Sequence, residues 1–251
     1  MDINSKTKTF CLLGHPIEQS FSPSIHNYLF NKYKKNCIYM CFDVNQNVLE
    51  EAIKGIKSLN ISGFNITIPH KVDVIKYLDE IDINASLIGA VNTVKNEGGI
   101  LKGYNTDGKG FVKSILENGH SVYGKRVMII GAGGSSRSIA VYLASSNVKT
   151  IEIRNRSIEK AREISNIIND NFKTKATYST KCIDASDLND IDILINTTPI
   201  GMGTDECPID KNIKPNKELL VCDIVYKPHD TAFIKWAQKN NLNTIYGIEM
   251  L

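Results

Sequence analysis

A buried strand, a glycine-rich loop and a helix follow one another in the stretch VMIIGAGGSSRS, which starts at Val127. The pattern Gly131-x-Gly133-x-x-Ser136, between such a strand and such a helix, is the context that a dinucleotide site requires. Gly131 allows the tight turn, and Gly133 lets the backbone approach a pyrophosphate at the start of the helix. Ser136 is small enough for the helix to pack on the strand. The stretch therefore predicts a dinucleotide-binding α/β unit, with a merely tight structural turn as the alternative.

The end of the next strand indicates which dinucleotide is bound. A site for NAD usually has an acidic residue about 20 positions further on, which holds the ribose 2′-hydroxyl. Here the acid, Glu152, lies inside the strand. The strand's end is basic and hydroxyl-rich, with the residues Arg154, Asn155, Arg156 and Ser157. Because a guanidinium binds phosphate as a fork, this end favours the 2′-phosphate of NADP. An ordinary exposed basic turn is the alternative.

Strand and helix patterns alternate along the whole chain, which predicts the α/β class. The 251 residues suffice for one large or two modest domains. We place the main domain transition at or slightly before the polar, glycine-punctuated stretch GHSVYGK. Upstream of it, AVNTVKNEGGILKGYN predicts a hairpin that turns at NEGG.

The stretch GFNITIPHKVDVI, residues 63–75, predicts a strand followed by a helix that begins at Pro69 and runs through HKVDVIKYLDEID. Thr67 and Lys71 would then lie where the strand ends and the helix starts, which is where open α/β folds bind ligands. A cation at a helix start is mildly disfavoured. Lys71 is therefore either a solvated surface residue or a residue that a site requires.

Small polar groups recur near the ends of the predicted elements of this half. Each has a structural explanation: Ser22 or Asp107 could cap a helix, and Asn92 could satisfy the hairpin backbone. Together they indicate a site for a polyhydroxylated carboxylate. The residues are Ser20, Ser22, Thr67, Asn92 and Asp107.

Composition argues against several other classes of protein. The net charge of +3 is too mild for a nucleic-acid binder, and no apolar run approaches the length of a membrane span. The five histidines show no metal-ligand spacing, so we expect no metal. The six cysteines are scattered without a Cys-x-x-Cys pair, which is typical of free thiols in a reducing cytoplasm.

Nine motifs occur in the order found in shikimate dehydrogenases, and the chain resembles that family essentially from end to end. The motifs are SFSPSIHN, FNITIPHK, GAVNT, YNTDG, GAGGSSR, NRS, NTTPIGM, DIVYKP and YGIEML. The resemblance implies an N-terminal α/β substrate domain at 1–107 and a Rossmann NADP-binding domain at 108–230, with a cleft between them. It also implies a C-terminal segment, 231–251, that returns toward the substrate domain. In the family a helix with a substrate-contacting glutamine follows GIEML, so relative to the family the chain is expected to be cut short.

The activity that the resemblance implies is the reversible, NADPH-dependent reduction of 3-dehydroshikimate to shikimate in chorismate and aromatic amino acid biosynthesis. Lys71 would be the catalytic lysine, with Asp107 as its partner. Ser20 and Ser22 would hold the substrate carboxylate. The ring hydroxyls would be bound by Thr67, Asn92, Asp107 and Tyr226, beside Lys71.

The cofactor residues implied by the resemblance fall into three groups. The pyrophosphate would be held by Gly131, Ala132, Gly133, Gly134 and Ser135. The 2′-phosphate would be held by Asn155, Arg156, Ser157 and Lys160, the last standing where relatives often have arginine. The nicotinamide would be flanked by Ile224, Gly247 and Met250. We expect a small-molecule substrate, no nucleic-acid or membrane partner, and a monomer or homodimer.

Three other hypotheses are compatible with parts of this pattern. A quinate/shikimate dehydrogenase with broader substrate or NAD use is disfavoured by the paired serines and the basic NRS end. A non-catalytic regulator that senses the same metabolites should have lost Lys71 or Asp107, and both are present. A generic NADP-binding module is disfavoured only by the N-terminal motifs.

Overall fold

The computed structural model describes residues 3–215 and 218–250, and the chain divides into two compact units between Thr106 and Asp107. Strands and helices alternate in both units, which confirms the α/β class. Among the described residues, no helix is both long and apolar enough to cross a membrane.

The first unit is built on a mixed six-stranded sheet with the strand order β2-β1-β3-β5-β6-β4. Strands β2, β1 and β3 are parallel, whereas β5 runs antiparallel to both β3 and β6. The elements are β1 (Lys8–Gly14), α1 (Ser22–Lys32), β2 (Cys37–Asp43), α2 (Leu49–Ser58), β3 (Gly63–Ile66), β4 (Glu80–Ile81), α3 (Ile83–Ile88), β5 (Thr93–Glu97) and β6 (Ile100–Tyr104).

Helix α2 contributes one apolar face to the core of this unit. Its buried residues Leu49, Ile53 and Ile56 recur at helical spacing, so one face of the helix is apolar. They pack in one cluster with Phe64 and Ile66, which share a face of β3. This packing fixes which face of β3 carries Asn65, and hence the side on which polar groups collect.

The predicted hairpin is confirmed. Strands β5 and β6 are joined by the two residues Gly98 and Gly99, whose φ angles are +63° and +94°. A two-residue hairpin turn with two positive φ angles favours the pairs Asn-Gly, Asp-Gly and Gly-Gly, the last of which is found here.

The helix expected from Pro69 onward is wrong. Lys71 lies in a turn that follows the cis Ile68–Pro69 peptide, and only Asp73–Tyr77 is helical, as a 3₁₀ turn. The chain then pairs with β6: the Asp79 N–H donates to the Leu101 carbonyl at 3.0 Å, and the Asp79 carboxylate accepts from the Leu101 N–H at 2.7 Å. This long-range pairing outweighs the helical spacing of the local apolar residues.

The expected capping role of Ser22 is also wrong. Helix α1 begins at Ser22 itself, Phe21 occupies the N-cap position, and no N-cap side chain hydrogen-bonds the helix. The Ser22 N–H instead donates to the Ser20 Oγ at 3.2 Å. Both serines thus lie at the helix start, but Ser22 is not needed there as a cap.

The second unit contains an all-parallel six-stranded sheet with the order β12-β11-β10-β7-β8-β9. Counted from β7, this is the strand order 3-2-1-4-5-6 of the dinucleotide-binding Rossmann fold. The elements are α4 (Asp107–Glu117), β7 (Arg126–Ile130), α5 (Gly134–Ser145), β8 (Thr150–Arg154), α6 (Ile158–Asn171), β9 (Lys175–Ser179), β10 (Ile193–Asn196), β11 (Leu220–Asp223), α7 (Ala232–Lys239) and β12 (Asn243–Ile245).

The end of the described chain belongs to this second unit. Strand β12 pairs with β11 at the sheet edge, and a 3₁₀ turn at Gly247–Met250 follows it. That turn packs on α4, because a Cβ atom at Gly110 would lie 2.6 Å from the Met250 carbonyl oxygen. Within the segment 231–251, strand β12 therefore forms an edge of the second sheet.

Candidate active site

Thr67 is held where β3 ends beside the end of β1. Its N–H donates to the Leu13 carbonyl at 2.9 Å, and the His15 N–H donates to the Ile68 carbonyl at 2.9 Å. A Cβ atom at Gly14 would lie 2.2 Å from the Thr67 methyl carbon. The close approach of the ends of β1 and β3 therefore requires glycine at position 14 and fixes the Thr67 side chain.

The Lys71 turn is anchored on both sides. The Lys71 carbonyl accepts a hydrogen bond from the Val91 N–H at 2.7 Å. The neighbouring His70 is fully buried, with its Nε2 atom 2.6 Å from the Val44 carbonyl oxygen. Because a carbonyl only accepts, we assign the ring proton to Nε2. Lys71 is thus a half-buried lysine in a fixed turn, and the cost of a cation at a helix start does not apply to it.

Asn92 joins the ends of the hairpin strands. Its Nδ2 donates to the Thr106 Oγ1 at 3.0 Å, and its Oδ1 accepts from the Thr106 N–H at 3.0 Å and the Thr93 hydroxyl at 2.9 Å. Asn65 extends the network, because its Nδ2 donates to the Asn92 carbonyl at 3.2 Å. Asn92 therefore satisfies backbone groups of the hairpin, which is the structural explanation considered above. The same hydrogen bonds place Asn92 within a polar cluster.

Two side chains of strand β2 lie beside the two serines. The Ser22 hydroxyl acts on the Tyr39 phenol, and the Ser20 hydroxyl on the Cys41 thiol, in the direction that lowers the pKa of each partner. Burial raises the pKa of both the Tyr39 phenol and the Cys41 thiol, so both groups remain neutral at physiological pH. The Tyr39 hydroxyl donates to the Asn65 Oδ1 at 2.7 Å.

The structure therefore brings four expected groups of the first unit to one polar cluster or to the turns beside it. These are the paired serines, Thr67, Lys71 and Asn92. Sequence reasoning missed Tyr39, Asn65 and Thr106, which link them. Asn65 shares its strand face with Thr67 and could have been found by alternation, whereas Tyr39 lies in an apolar strand and gave no signal.

Asp107 opens the second unit as the first residue of α4. A carboxylate in the first turn of a helix is favoured by the helix dipole. The start of α4 is anchored on α5, since the Gly108 N–H donates to the Ser138 Oγ at 2.7 Å.

The glycine loop has the form that a pyrophosphate requires. Gly131 has a φ of +108°, and a Cβ atom there would lie 2.6 Å from the Thr197 Oγ1. A Cβ atom at Gly133, in contrast, would meet nothing within 4 Å. Gly133 is also the N-cap of α5 and has no side chain to cover the first N–H groups. The fully buried Ser136 donates to the Gly131 carbonyl at 2.8 Å, so it ties the loop together as well as being small.

The basic end of β8 is confined to fewer residues than its sequence suggests. Arg154 is buried and pairs with Glu152 at 2.7 Å and with Asp187 at 2.6 Å, so it belongs to the core of the unit and not to the exposed end. Arg156 and Lys160 are exposed. Two hydrogen bonds shape this turn: the Asn155 Nδ2 donates to the Ser157 carbonyl at 2.8 Å, and the Ser157 hydroxyl donates to the Glu159 Oε2 at 3.0 Å.

The residues expected at the nicotinamide collect beyond the end of β11. A Cβ atom at Gly247 would lie 2.5 Å from the Ile224 carbonyl oxygen, and Ile224 and Met250 both pack against the main core of the unit. Tyr226 follows two residues after Ile224 in the same loop. The loop and the 3₁₀ turn thus bring these expected residues together.

Beneath that loop lies a buried carboxylate, Asp223. It accepts hydrogen bonds from the Asn196 Nδ2 at 2.9 Å, the Val225 N–H at 3.0 Å and the Thr231 hydroxyl at 2.7 Å. Burial raises the pKa of Asp223 to about 6 against the opposing effect of these hydrogen bonds. Sequence reasoning did not single out this residue.

Two further features do not belong to these clusters. An open depression of about 810 Å³ follows β10 and is lined by none of the expected residues; its lining is Ile200, Asp205, Glu206, Cys207, Ile209, Asp210, Lys211 and Asn212. Within residues 3–215 and 218–250, no group of three or more His, Cys, Asp and Glu side chains is arranged to hold a metal.

A parallel sheet in the order 3-2-1-4-5-6, with a glycine loop between its first strand and helix, defines the class of Rossmann dinucleotide-binding proteins. Comparison with known proteins narrows this class. Residues 12–94 match the family model described as shikimate dehydrogenase substrate binding domain, and residues 112–228 match the one described as shikimate / quinate 5-dehydrogenase.

Curated relatives match along the whole chain. The chain is 45% identical to the shikimate dehydrogenase (NADP(+)) of Caldanaerobacter subterraneus subsp. tengcongensis, over 100% of this chain and 90% of the relative. It is 46% identical to the enzyme of the same name from Methanocaldococcus jannaschii, over 99% and 89% of the two chains. The crystal structure of shikimate 5-dehydrogenase from Listeria monocytogenes, in complex with shikimate and NAD, superposes with a TM-score of 0.87 at 33% identity, over 100% and 89%. The chain belongs to the shikimate dehydrogenase family, a family of oxidoreductases, as the sequence motifs predicted.

Proposed function

We propose that this chain catalyses the reversible, NADPH-dependent reduction of 3-dehydroshikimate to shikimate. The observation that carries the proposal is the similarity, along the whole of this chain, to relatives named shikimate dehydrogenase (NADP(+)), together with the presence of Lys71 and Asp107. The reaction would serve chorismate and aromatic amino acid biosynthesis. We place it in the cytoplasm, with a small-molecule substrate, no nucleic-acid or membrane partner, and a monomer or homodimer as the active form.

The polar cluster of the first unit supports the binding of a hydroxylated carboxylate. Ser20 and Ser22 lie at the start of α1, where a helix favours an anion. They would hold the substrate carboxylate. The ring hydroxyls would be bound by Thr67, Asn92, Asp107 and Tyr226.

The catalytic proton is assigned to Lys71. Reduction of a ketone builds negative charge on its oxygen, and an ammonium can stabilise that charge and then donate the proton. The ketone thus gains a hydride at carbon and a proton at oxygen and becomes the alcohol. In the reverse direction Lys71 accepts the hydroxyl proton.

The second unit fits NADP. Bound NADPH would supply the hydride. The loop Gly131 to Ser135 would hold its pyrophosphate, because Gly133 leaves the backbone open and no side chain caps α5 there. Arg156 and Lys160 are exposed cations beside Asn155 and Ser157, which suits a 2′-phosphate. Ile224, Gly247 and Met250 would flank the nicotinamide.

A single spectrophotometric experiment tests the proposal. Reduced nicotinamide is followed at equal concentrations of shikimate or quinate, each with NADP⁺ or NAD⁺. The proposal expects shikimate with NADP⁺ to give the highest kcat/KM. Turnover of quinate with NAD⁺ at a comparable kcat/KM would favour the broader quinate/shikimate dehydrogenase. A folded protein without turnover on any pair would favour a regulator.

A further inference from the structure

His70 closes a ring of contacts around the turn that carries Lys71. Its Nε2 atom lies 2.6 Å from the Val44 carbonyl oxygen, and its backbone N–H donates to the Thr67 carbonyl at 2.9 Å. The Val44 N–H in turn donates to the Gly14 carbonyl at 2.9 Å. Gly14 packs so closely on the Thr67 methyl carbon that a Cβ atom would not fit there. The imidazole therefore joins the segment after β2 to the ends of β1 and β3.

The second ring nitrogen of His70 is a cost of this arrangement. The side chain is fully buried, and among the described residues its Nδ1 atom has no hydrogen-bond partner. Buried polar atoms of native proteins are nearly always paired, because an unpaired one is unfavourable. A phenylalanine ring would fill the same space without an unpaired atom. What histidine adds over such a ring is the hydrogen bond from Nε2 to Val44.

This bond acts on Lys71 more than on Thr67. Thr67 has its own backbone bond to β1, which does not involve the imidazole. The Lys71 carbonyl accepts from the Val91 N–H, and the residue before Lys71 is fixed to Val44 through its ring. Together these two bonds set the position and the direction of the Lys71 backbone. Without the imidazole bond the turn can shift while Thr67 stays in place.

We propose that His70 is a positioning residue for the catalytic step: its hydrogen bond to Val44 fixes the turn that presents Lys71 to the substrate ketone. The proposal rests on the proposed function, because it presumes that Lys71 donates the proton. A proton donor must lie within hydrogen-bond distance of the ketone oxygen, and a small misplacement of a catalytic group lowers the rate strongly. Substrate and cofactor are held mainly by other residues, so the loss should fall on the rate and not on binding.

The test compares three replacements of His70. His70→Phe keeps a planar ring and removes both nitrogens, so the single-turnover rate of shikimate oxidation should fall about tenfold. The dissociation constants of shikimate and NADP⁺, measured by calorimetry, should stay within about twofold of wild type. His70→Gln places an amide N–H near the position of Nε2 and should recover most of the rate. His70→Asn is too short to reach Val44 and should behave like His70→Phe.

Gln46→Ala is the matched control. Gln46 donates to the Asp73 carboxylate at 2.6 Å, so it joins the same two segments at an exposed position. Water can replace the lost partner there, and this variant should keep the single-turnover rate within about twofold of wild type. The melting temperature of each variant shows whether it is folded at the temperature of the assay.

The ring proton is read directly in the wild-type protein. In a long-range ¹H–¹⁵N spectrum of protein labelled with ¹⁵N-histidine, the His70 ring should carry a proton on Nε2, and its signals are assigned by their loss in His70→Gln. An unprotonated Nε2, an unchanged rate in folded His70→Phe, or a rate of His70→Gln no higher than that of His70→Asn would each overturn the proposal. So would a loss of shikimate affinity as large as the loss of rate. Wild-type turnover of shikimate with NADP⁺ is measured first and tests the proposed function on its own.

Discussion

The Asp223 carboxylate accepts a hydrogen bond from the Thr231 hydroxyl at 2.7 Å, and the same Thr231 Oγ1 accepts the Ile234 N–H at 3.2 Å as the cap of α7. The other carboxylate oxygen accepts from Asn196 and Val225. One buried acid thus ties the end of β10, the loop after β11 and the start of α7. That loop carries the residues proposed to face the nicotinamide, so its shape depends on this acid.

The raised pKa of Asp223 makes a prediction about stability. The folded-state pKa is about 6, and the ordinary value is 3.8. The folded protein therefore binds more protons than the unfolded chain between these values, and this contribution to stability is lost as the pH rises from about 4 to about 6. The full effect is at most on the order of 3 kcal/mol.

Asp223→Asn removes this titration. We expect the difference in unfolding free energy between wild type and Asp223→Asn, from urea denaturation, to change steadily between pH 4 and pH 7, in the direction that disfavours wild type at the higher pH. The nearby thiols Cys207 and Cys222 have pKa values raised by burial and stay neutral throughout. A difference that is the same at every pH would show that Asp223 does not titrate in this window.

A second prediction concerns the catalytic lysine. Lys71→Ala should lower kcat by roughly 100-fold or more, the usual scale of general acid–base catalysis. Shikimate binding, measured by calorimetry, should weaken much less. Lys76→Ala is the matched control, because Lys76 is an exposed lysine in the following 3₁₀ turn. Turnover of Lys71→Ala near the wild-type value at saturating substrate would show that Lys71 is not the proton donor.

A third prediction follows from the absence of a capping bond at Ser22. Because Phe21 is the N-cap and no N-cap side chain bonds α1, Ser22→Ala should leave the melting temperature nearly unchanged while raising the KM for shikimate. Ser24→Ala, an exposed serine on the same helix, serves as the control. A substrate analogue without the carboxylate should bind both forms equally. If the mutation weakened the analogue as much as shikimate, the carboxylate assignment would fail.

Local patterns predicted the parts of the fold that depend on neighbours in sequence. The Gly98–Gly99 hairpin and the turn at Gly131 are examples, since each follows from backbone angles that glycine permits. The expected helix after Pro69 failed because Asp79 bonds to Leu101, a partner that local spacing cannot reveal. Arg154 was misjudged for the same reason, as Asp187 reaches it from a distant loop.

The residues of the candidate site likewise divide into those that local sequence predicts and those that depend on distant partners. Motifs named the residues expected to touch substrate and cofactor, because those residues stand at the ends of recognisable elements. The residues beneath them were missed: Tyr39 joins α1 to β3, and Asp223 joins β10 to α7. Their partners come from separate elements, so only the folded arrangement brings them together.

The last prediction concerns the choice of cofactor. With Arg154 buried in ion pairs, Arg156 is the exposed guanidinium at the end of β8, and Lys160 adds a second exposed charge on α6. A charge-assisted hydrogen bond to a phosphate is worth roughly 1.5 to 3 kcal/mol, so NADP⁺ should bind at least tenfold more tightly than NAD⁺. Arg156→Ala should remove most of this preference and leave NAD⁺ binding nearly unchanged. Arg162→Ala replaces an exposed arginine further along α6 and should leave the preference as it is in wild type.

Higher salt should weaken NADP⁺ binding more than NAD⁺ binding, because screening acts on the additional phosphate. Both cofactors are titrated into the three proteins at two salt concentrations. Equal affinities in wild type, or equal losses in Arg156→Ala, would show that the basic end of β8 is ordinary surface and would favour the NAD-using alternative.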